Sequence, residues 1–283
     1  MPKARSNTTV PFRRVDIHAH TQFAAFEADR KAVIERALSS GTAIINASTK
    51  LSTSRAAVAL TQEYHEGVYA FVGLHPIHTT ASFHDEQELG PGSQPFSSTG
   101  EVFDPAAYRT MLAEPKVLGI GECGLDYFHL ADDTKAKQCA AFSAQIALAN
   151  ETGKPLMLHI REAYDDALDI LATESKVAGD VHFFAGTIEQ AKRFLDLGFT
   201  ISFTGVVTFA AQYVPLVEYV PLSMIQAETD CPYVAPVPHR GKRNEPSYVA
   251  EIVARIATIK KLSLETVETA LLENARRVWR LPC

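Results

Sequence analysis

Short apolar runs alternate along this chain with longer stretches whose apolar positions recur every three to four residues. The short runs fall at Val15–Ala19, Ala43–Ala47, Tyr69–Leu74, Val117–Glu122, Leu156–Ile160, Asp180–Phe184, Thr200–Phe203 and Met224–Glu228. They carry Val, Ile, Leu and Phe on both faces, which predicts strands of a buried parallel sheet. The longer stretches predict helices. Glu27–Ser40, Thr53–His65, Thr134–Thr152 and Ile188–Leu197 each end at or near a glycine, a common helix stop. Arg161–Glu174 and Ser263–Ala275 read the same way, and Pro246–Lys260 opens on a proline suited to a first turn. Most of the eight strands are followed by a helix. That rhythm predicts an α/β fold of the TIM (β/α)8 barrel type, for which roughly 250 residues are typical. A doubly wound open sheet is the alternative. No Gly-x-Gly-x-x-Gly follows the first strand, which weakens a dinucleotide-binding version of it. One domain is expected over residues 1–283. Residues 1–13 read as a flexible polar start, and residues 77–104, rich in Ser, Gly, Pro and acidic groups, as a loop inserted after the third strand.

Composition narrows the partners. The chain has 283 residues, with 27 Lys plus Arg against 33 Asp plus Glu, a net charge of −6. A field of that sign does not draw phosphate in, so a nucleic-acid partner requires local cations. No apolar run approaches the ~20 residues of a spanning helix, and no partner membrane is expected. Four scattered cysteines do not form a disulfide scaffold. A reducing, cytoplasmic setting is expected, with no obligate protein partner evident.

The chemistry lies at the predicted strand ends, where a barrel of this kind builds its active site. His18 and His20 close the first strand; two apart, they face one way. Glu122 ends the fourth strand and His159 the fifth, His182 lies on the sixth, and Asp230 follows the eighth. Six such ligands exceed the three that one catalytic zinc takes. They suit two divalent metals, with His18, His20 and Asp230 on one, His159 and His182 on the other, and Glu122 between. Such a pair suits hydrolysis by an activated water, with Asp230 able to take the water's proton. The ligand types admit zinc, magnesium or manganese, and also iron. His75, after the third strand, reads either as a hydrogen-bond donor to substrate or as a packed loop histidine. Arg161 can reach an anionic substrate or pair with a carboxylate. Asp126 can orient a ligand histidine or Arg161, or serve only a turn. The segment 237–246 puts Arg240, Lys242 and Arg243 beside Asn244 ahead of a helix, which reads as a phosphate-binding loop or as a solvated basic one. Cys123 and Cys231 read as packing residues. Trp279, the only tryptophan, is expected to anchor the last helix on the barrel.

Seven blocks in order, DIHAH at 16–20, GLHP at 73–76, GIGECGLDY at 119–127, PLMLHIREA at 155–163, HFFAG at 182–186, ETDCPY at 228–233 and RGKRNEP at 240–246, resemble the TatD family of metal-dependent hydrolases, the TatD-type deoxyribonucleases. The resemblance runs over nearly the whole chain. It implies a barrel of the amidohydrolase type that hydrolyses DNA phosphodiesters, commonly from the 3′ end. It implies His18 and His20 as the first ligand pair, Glu122 as bridge, His159 and His182 as second-site ligands, Asp230 as ligand and base, and His75 near the scissile phosphate. The chain departs from the family at Phe183 and Ala185, at His129 and in the long insertion, which bears on substrate choice. Two other functions stay open: hydrolysis of a lactone, amide or phosphomonoester on the same site, and metal binding without turnover.

Overall fold

The computed structural model describes residues 12–84, 96–128 and 134–281, with the backbone alone at 82–84 and 96–98. Eight strands form one parallel sheet: β1 (Arg14–Ala19), β2 (Thr42–Asn46), β3 (Val68–Val72), β6 (Val117–Asp126), β7 (Leu156–Arg161), β8 (Gly179–His182), β9 (Thr200–Phe203) and β10 (Ile225–Ala227), side by side in that order. A separate antiparallel pair joins β4 (Ser82–His84) to β5 (Phe96–Ser98). The two edges of the large sheet meet. Ala19 bridges Cys231 in parallel, Asp230 N–H donates to the His18 carbonyl at 2.9 Å, and His20 N–H donates to the Cys231 carbonyl at 2.9 Å. The architecture is therefore the expected TIM barrel.

Helices return the chain between strands: α1 (Arg30–Ser39), α2 (Leu51–Gln62), α3 (Pro105–Leu112), α4 (Thr134–Thr152), α5 (Tyr164–Glu174), α6 (Ile188–Asp196), α7 (Val214–Tyr219), α8 (Val249–Lys260) and α9 (Leu264–Trp279). The apolar seam between helices and strands is the main core, from Val72 and Ile146 through Phe194 to Ile256. A second buried cluster gathers Ile17, Ile45, Phe71 and Met157 around Trp279. Trp279 is 1% exposed, and its indole N–H donates to Gln226 Oε1 at 3.0 Å. It anchors the last helix as expected.

Several boundaries differ from the sequence reading. The fourth barrel strand does not stop at Glu122 but continues to Asp126, because Gly124, Leu125 and Asp126 keep pairing with His159, Ile160 and Arg161. Arg161 consequently ends a strand, and its helix starts only at Tyr164. Helix α3 was not expected. Its start is written locally: Asp104 accepts the N–H of Ala106 at 3.0 Å, and Pro105 occupies the first turn. Part of the expected insertion is ordered, as a 3-10 turn at Pro76–Thr79 and the β4–β5 pair. Residues 85–95, the polar start up to residue 11, and His129 lie outside the described residues.

Candidate metal centre

The six residues read as ligands converge at the carboxyl ends of the strands. His18, His20, Glu122, His182 and Asp230 are buried, and His159 is partly so. Three groups of ligand atoms lie within 4.8 Å of one another: His18, His20 and Asp230; His18, Glu122 and His182; and His75, Glu122 and His159. The first is the trio expected on one metal. On the other side His159 falls with Glu122 and His75, and its ring centroid is 6.0 Å from that of His182.

Glu122 divides its two oxygens between these groups. Oε1 lies 3.2 Å from His18 Nε2 and 3.4 Å from His20 Nε2. Oε2 lies 3.6 Å from His75 Nε2 and 3.6 Å from His159 Nδ1. Burial works against its charge, but His18, His159 and His75 outweigh that and hold the carboxyl well below the usual range. Asp230 is likewise held low against burial by His182, His20 and His18, and its Oδ1 stands 3.3 Å from His20 Nε2. The backbone at Asp230 is left-handed, with φ of 56°. Asn244 fixes the segment around it. Its amide donates to the carbonyls of Thr229 at 2.8 Å and Tyr233 at 2.7 Å, and its Oδ1 accepts the Glu245 N–H at 2.9 Å.

Hydrogen bonds set the tautomers of three of the rings, His20, His159 and His75. His20 Nδ1 faces the Ala47 carbonyl at 2.9 Å, so it carries the proton and leaves Nε2 as a lone pair toward Glu122 and Asp230. His159 Nε2 faces Asp126 Oδ2 at 3.0 Å, which leaves Nδ1 for the centre. Asp126 thus orients the His159 ring. His75 is the reverse case. Its Nδ1 accepts the Ile77 N–H at 3.2 Å, so in the neutral ring Nε2 holds the proton. Burial and neighbouring His159 push its pKa well down, which keeps it neutral. His75 therefore offers the centre a donor rather than a lone pair.

Glu228 was not singled out in the sequence. It is 0% exposed, and its Oε2 lies 3.0 Å from His182 Nδ1. Its Oε1 accepts the Phe183 N–H at 2.7 Å and the Ser202 hydroxyl at 2.9 Å. The available signal was its place two before Asp230, on the same face of an extended chain.

The donor set fits divalent cations. His18 is fully buried, yet neither ring nitrogen has a hydrogen-bond partner, an expensive state unless something else binds there. Glu122, Asp126, Glu228 and Asp230 crowd negative charge into a desolvated place. Despite the cost of burial, such neighbours raise the pKa values of His20, His159 and His182, the last to about 10. Cations in that place would supply the positive charge those protons otherwise bring.

Above the centre opens a cavity of about 1200 Å³. Arg161 lines it, with its guanidinium 3.5 Å above the Phe128 ring. The other three residues expected to touch substrate do not line it. Arg240 is exposed and lies 3.6 Å over Phe209. Arg243 donates to Asp29 Oδ2 and to the Ala25 carbonyl, both at 2.6 Å, so its charge is spent on an acid across the fold. Asn244 is buried among backbone groups, as described. No helix among the described residues is long and apolar enough to cross a membrane.

With this geometry in view, the comparisons with known proteins agree. The model of the family described as TatD related DNase matches residues 15–280. The chain belongs to that family and is a metal-dependent hydrolase. A Bacillus subtilis protein described as uncharacterized metal-dependent hydrolase YabD is 35% identical over 271 residues, 94% of this chain and 98% of its own. The protein described as 3′-5′ ssDNA/RNA exonuclease TatD from Musicola paradisiaca is 32% identical, covering 94% of this chain and 97% of its own. The crystal structure of the TatD homologue YjjV from Escherichia coli matches with a TM-score of 0.81 at 27% identity, over 95% of this chain and 99% of that one.

Proposed function

We propose that this hydrolase is a 3′-5′ exonuclease acting on single-stranded nucleic acid with two divalent cations. The observation that carries the reading is the division of Glu122, whose two oxygens face separate ligand groups. The Musicola relative named as an ssDNA/RNA exonuclease supports the substrate class. The cavity, at about 1200 Å³, exceeds the ~300–1,000 Å³ usual for small ligands, which favours a polymer end over a lone metabolite.

Cations bound there would lower the pKa of an attacking water and neutralise charge gathering on the phosphate. The chain's own groups do the rest. Asp230, ionised and 9% exposed, takes the proton of the water. His75 donates through Nε2–H to the phosphate or the leaving oxygen. Asp126 holds His159 in its ligand tautomer, and Glu228 backs His182. Arg161, braced on Phe128, presents its N–H edge to a phosphate, and Arg240 supplies a cation outside the cavity. Arg243 and Asn244 act on substrate only by fixing the segment after Asp230.

End-labelled single-stranded DNA supplied with Mg²⁺, Mn²⁺ or Zn²⁺ tests this. Wild type should release nucleotides with at least one cation, and Glu122→Ala should fall to background. Intact DNA under every cation, alongside turnover of a lactone, amide or phosphomonoester, would overturn the nuclease reading.

A further inference from the structure

We propose that Phe183 is a stacking platform for a nucleobase beside the scissile phosphate, so that the enzyme binds a base-bearing strand end and not a phosphate alone. This rests on the nuclease reading above. Phe183 follows His182 directly, so its side chain starts one residue from the centre. A nucleobase hangs one sugar away from its phosphate. The Phe183 ring lines the cavity beside the centre, within reach of the base of a nucleotide bound there.

The backbone supports a specific use. Phe183 has φ of 45°, in the left-handed region that bulky residues avoid and glycine adopts freely. It is pinned there by its N–H, which donates at 2.7 Å to Glu228 Oε1. The turn alone would be met more cheaply by glycine, so the aromatic ring calls for a separate explanation. The ring is half-buried, lines the cavity, and meets the His182 ring edge-on at 6.0 Å and 82°.

Two other rings along the cavity, Phe23 and Tyr164, have structural duties. Phe23 lies flat on His20 at 4.5 Å and 11°. The Tyr164 hydroxyl accepts the Ala185 N–H at 2.9 Å, and its ring packs edge-on to Phe184. Tyr213 also lines the cavity, from a short 3-10 turn, and Tyr233 meets the His20 ring edge-on at 6.3 Å and 75°. Phe183 has no hydrogen-bonding group, so it would hold any of the bases by its face, as sequence-tolerant single-strand binders do.

The test compares wild type, Phe183→Ala, Phe183→Leu and Phe183→Tyr on single-stranded DNA with a normal 3′ end and with an abasic residue at the terminal or penultimate position. Thermal melts check that each variant is folded. Stacking predicts a KM about tenfold higher for Ala and Leu on the normal end, with kcat nearly held, and Tyr close to wild type. At one of the two abasic positions wild type should lose the same factor, and the variants should lose nothing more. Digestion by wild type, with variants equally impaired on normal and abasic ends, would overturn the role of Phe183 and leave the nuclease reading standing. No digestion by wild type would overturn the nuclease reading itself.

Discussion

Replacing Asn244 separates a residue that touches substrate from one that shapes the centre. Its side chain is 0% exposed and makes three hydrogen bonds, to the Thr229 and Tyr233 carbonyls and from the Glu245 N–H. At about 1 kcal/mol for each such bond, Asn244→Ala should cost about 3 kcal/mol. For a chain of this size that lowers Tm by roughly 6–12 °C. Two of the three bonds end on Thr229, next to Asp230, and Tyr233, three residues after it, and brace the segment that carries the left-handed backbone of Asp230. Metal affinity should fall about 10–100-fold, as it does when groups that orient ligands are removed. The assay is a melt with and without metal, a metal titration, and KM for single-stranded DNA. A variant with wild-type Tm and metal affinity but a raised KM would refute the reasoning and make Asn244 the phosphate contact that its basic neighbourhood suggests.

The other predictions are narrower. Asp126→Asn keeps an oxygen for the Phe128 N–H, bonded at 2.9 Å, but no longer anchors the His159 tautomer as a carboxylate. Metal affinity should drop about 10–100-fold with little change in Tm, and unchanged metal content by elemental analysis would contradict it. Glu245 is opposed by burial, yet hydrogen bonds from Arg36 and Ser247 hold its carboxyl below the usual range. Its folded pKa is therefore below the unfolded value of about 4.3, so its stabilisation is complete above that pH and is lost as pH falls through the folded value. Glu245→Gln should flatten the fall of Tm below about pH 4, and parallel Tm–pH profiles would count against the pair.

The fold was legible because a barrel strand buried on both faces leaves an apolar run, and all eight such runs became strands. The strand ends were harder. Glu122 sits inside a strand because Gly124 and Leu125 are buried and paired with His159 and Ile160. The convergence of the six candidate ligands was legible through their places at the strand ends, with His18 and His20 sharing a face by alternation. Glu228 was overlooked, because its partner His182 lies on a different strand and its local signal was only its place two before Asp230. The basic loop misled for a related reason. A run of cations carries no record of whether an acid waits across the fold, and Asp29, the partner of Arg243, lies on the far side of the chain in sequence.

The place where the sheet closes on itself explains why the centre forms there. Between β1 and β10 no continuous strand ladder runs; the segment just after β10 meets β1 through the Ala19–Cys231 bridge, backbone hydrogen bonds and the side chain of Asp16. Asp16 is buried and accepts the Thr229 N–H at 2.8 Å and the Thr229 hydroxyl at 2.5 Å. Burial pushes its pKa up to about 8 even against those bonds. The seam thus joins the backbone of His18 directly to that of Asp230, whose N–H donates to the His18 carbonyl, and the backbone of His20 to that of the adjacent Cys231. Three candidate ligands from opposite ends of the chain are held in register by the same contacts that complete the barrel. A metal bound to His18, His20 and Asp230 would cross that seam, so closing the fold and binding the cation reinforce each other.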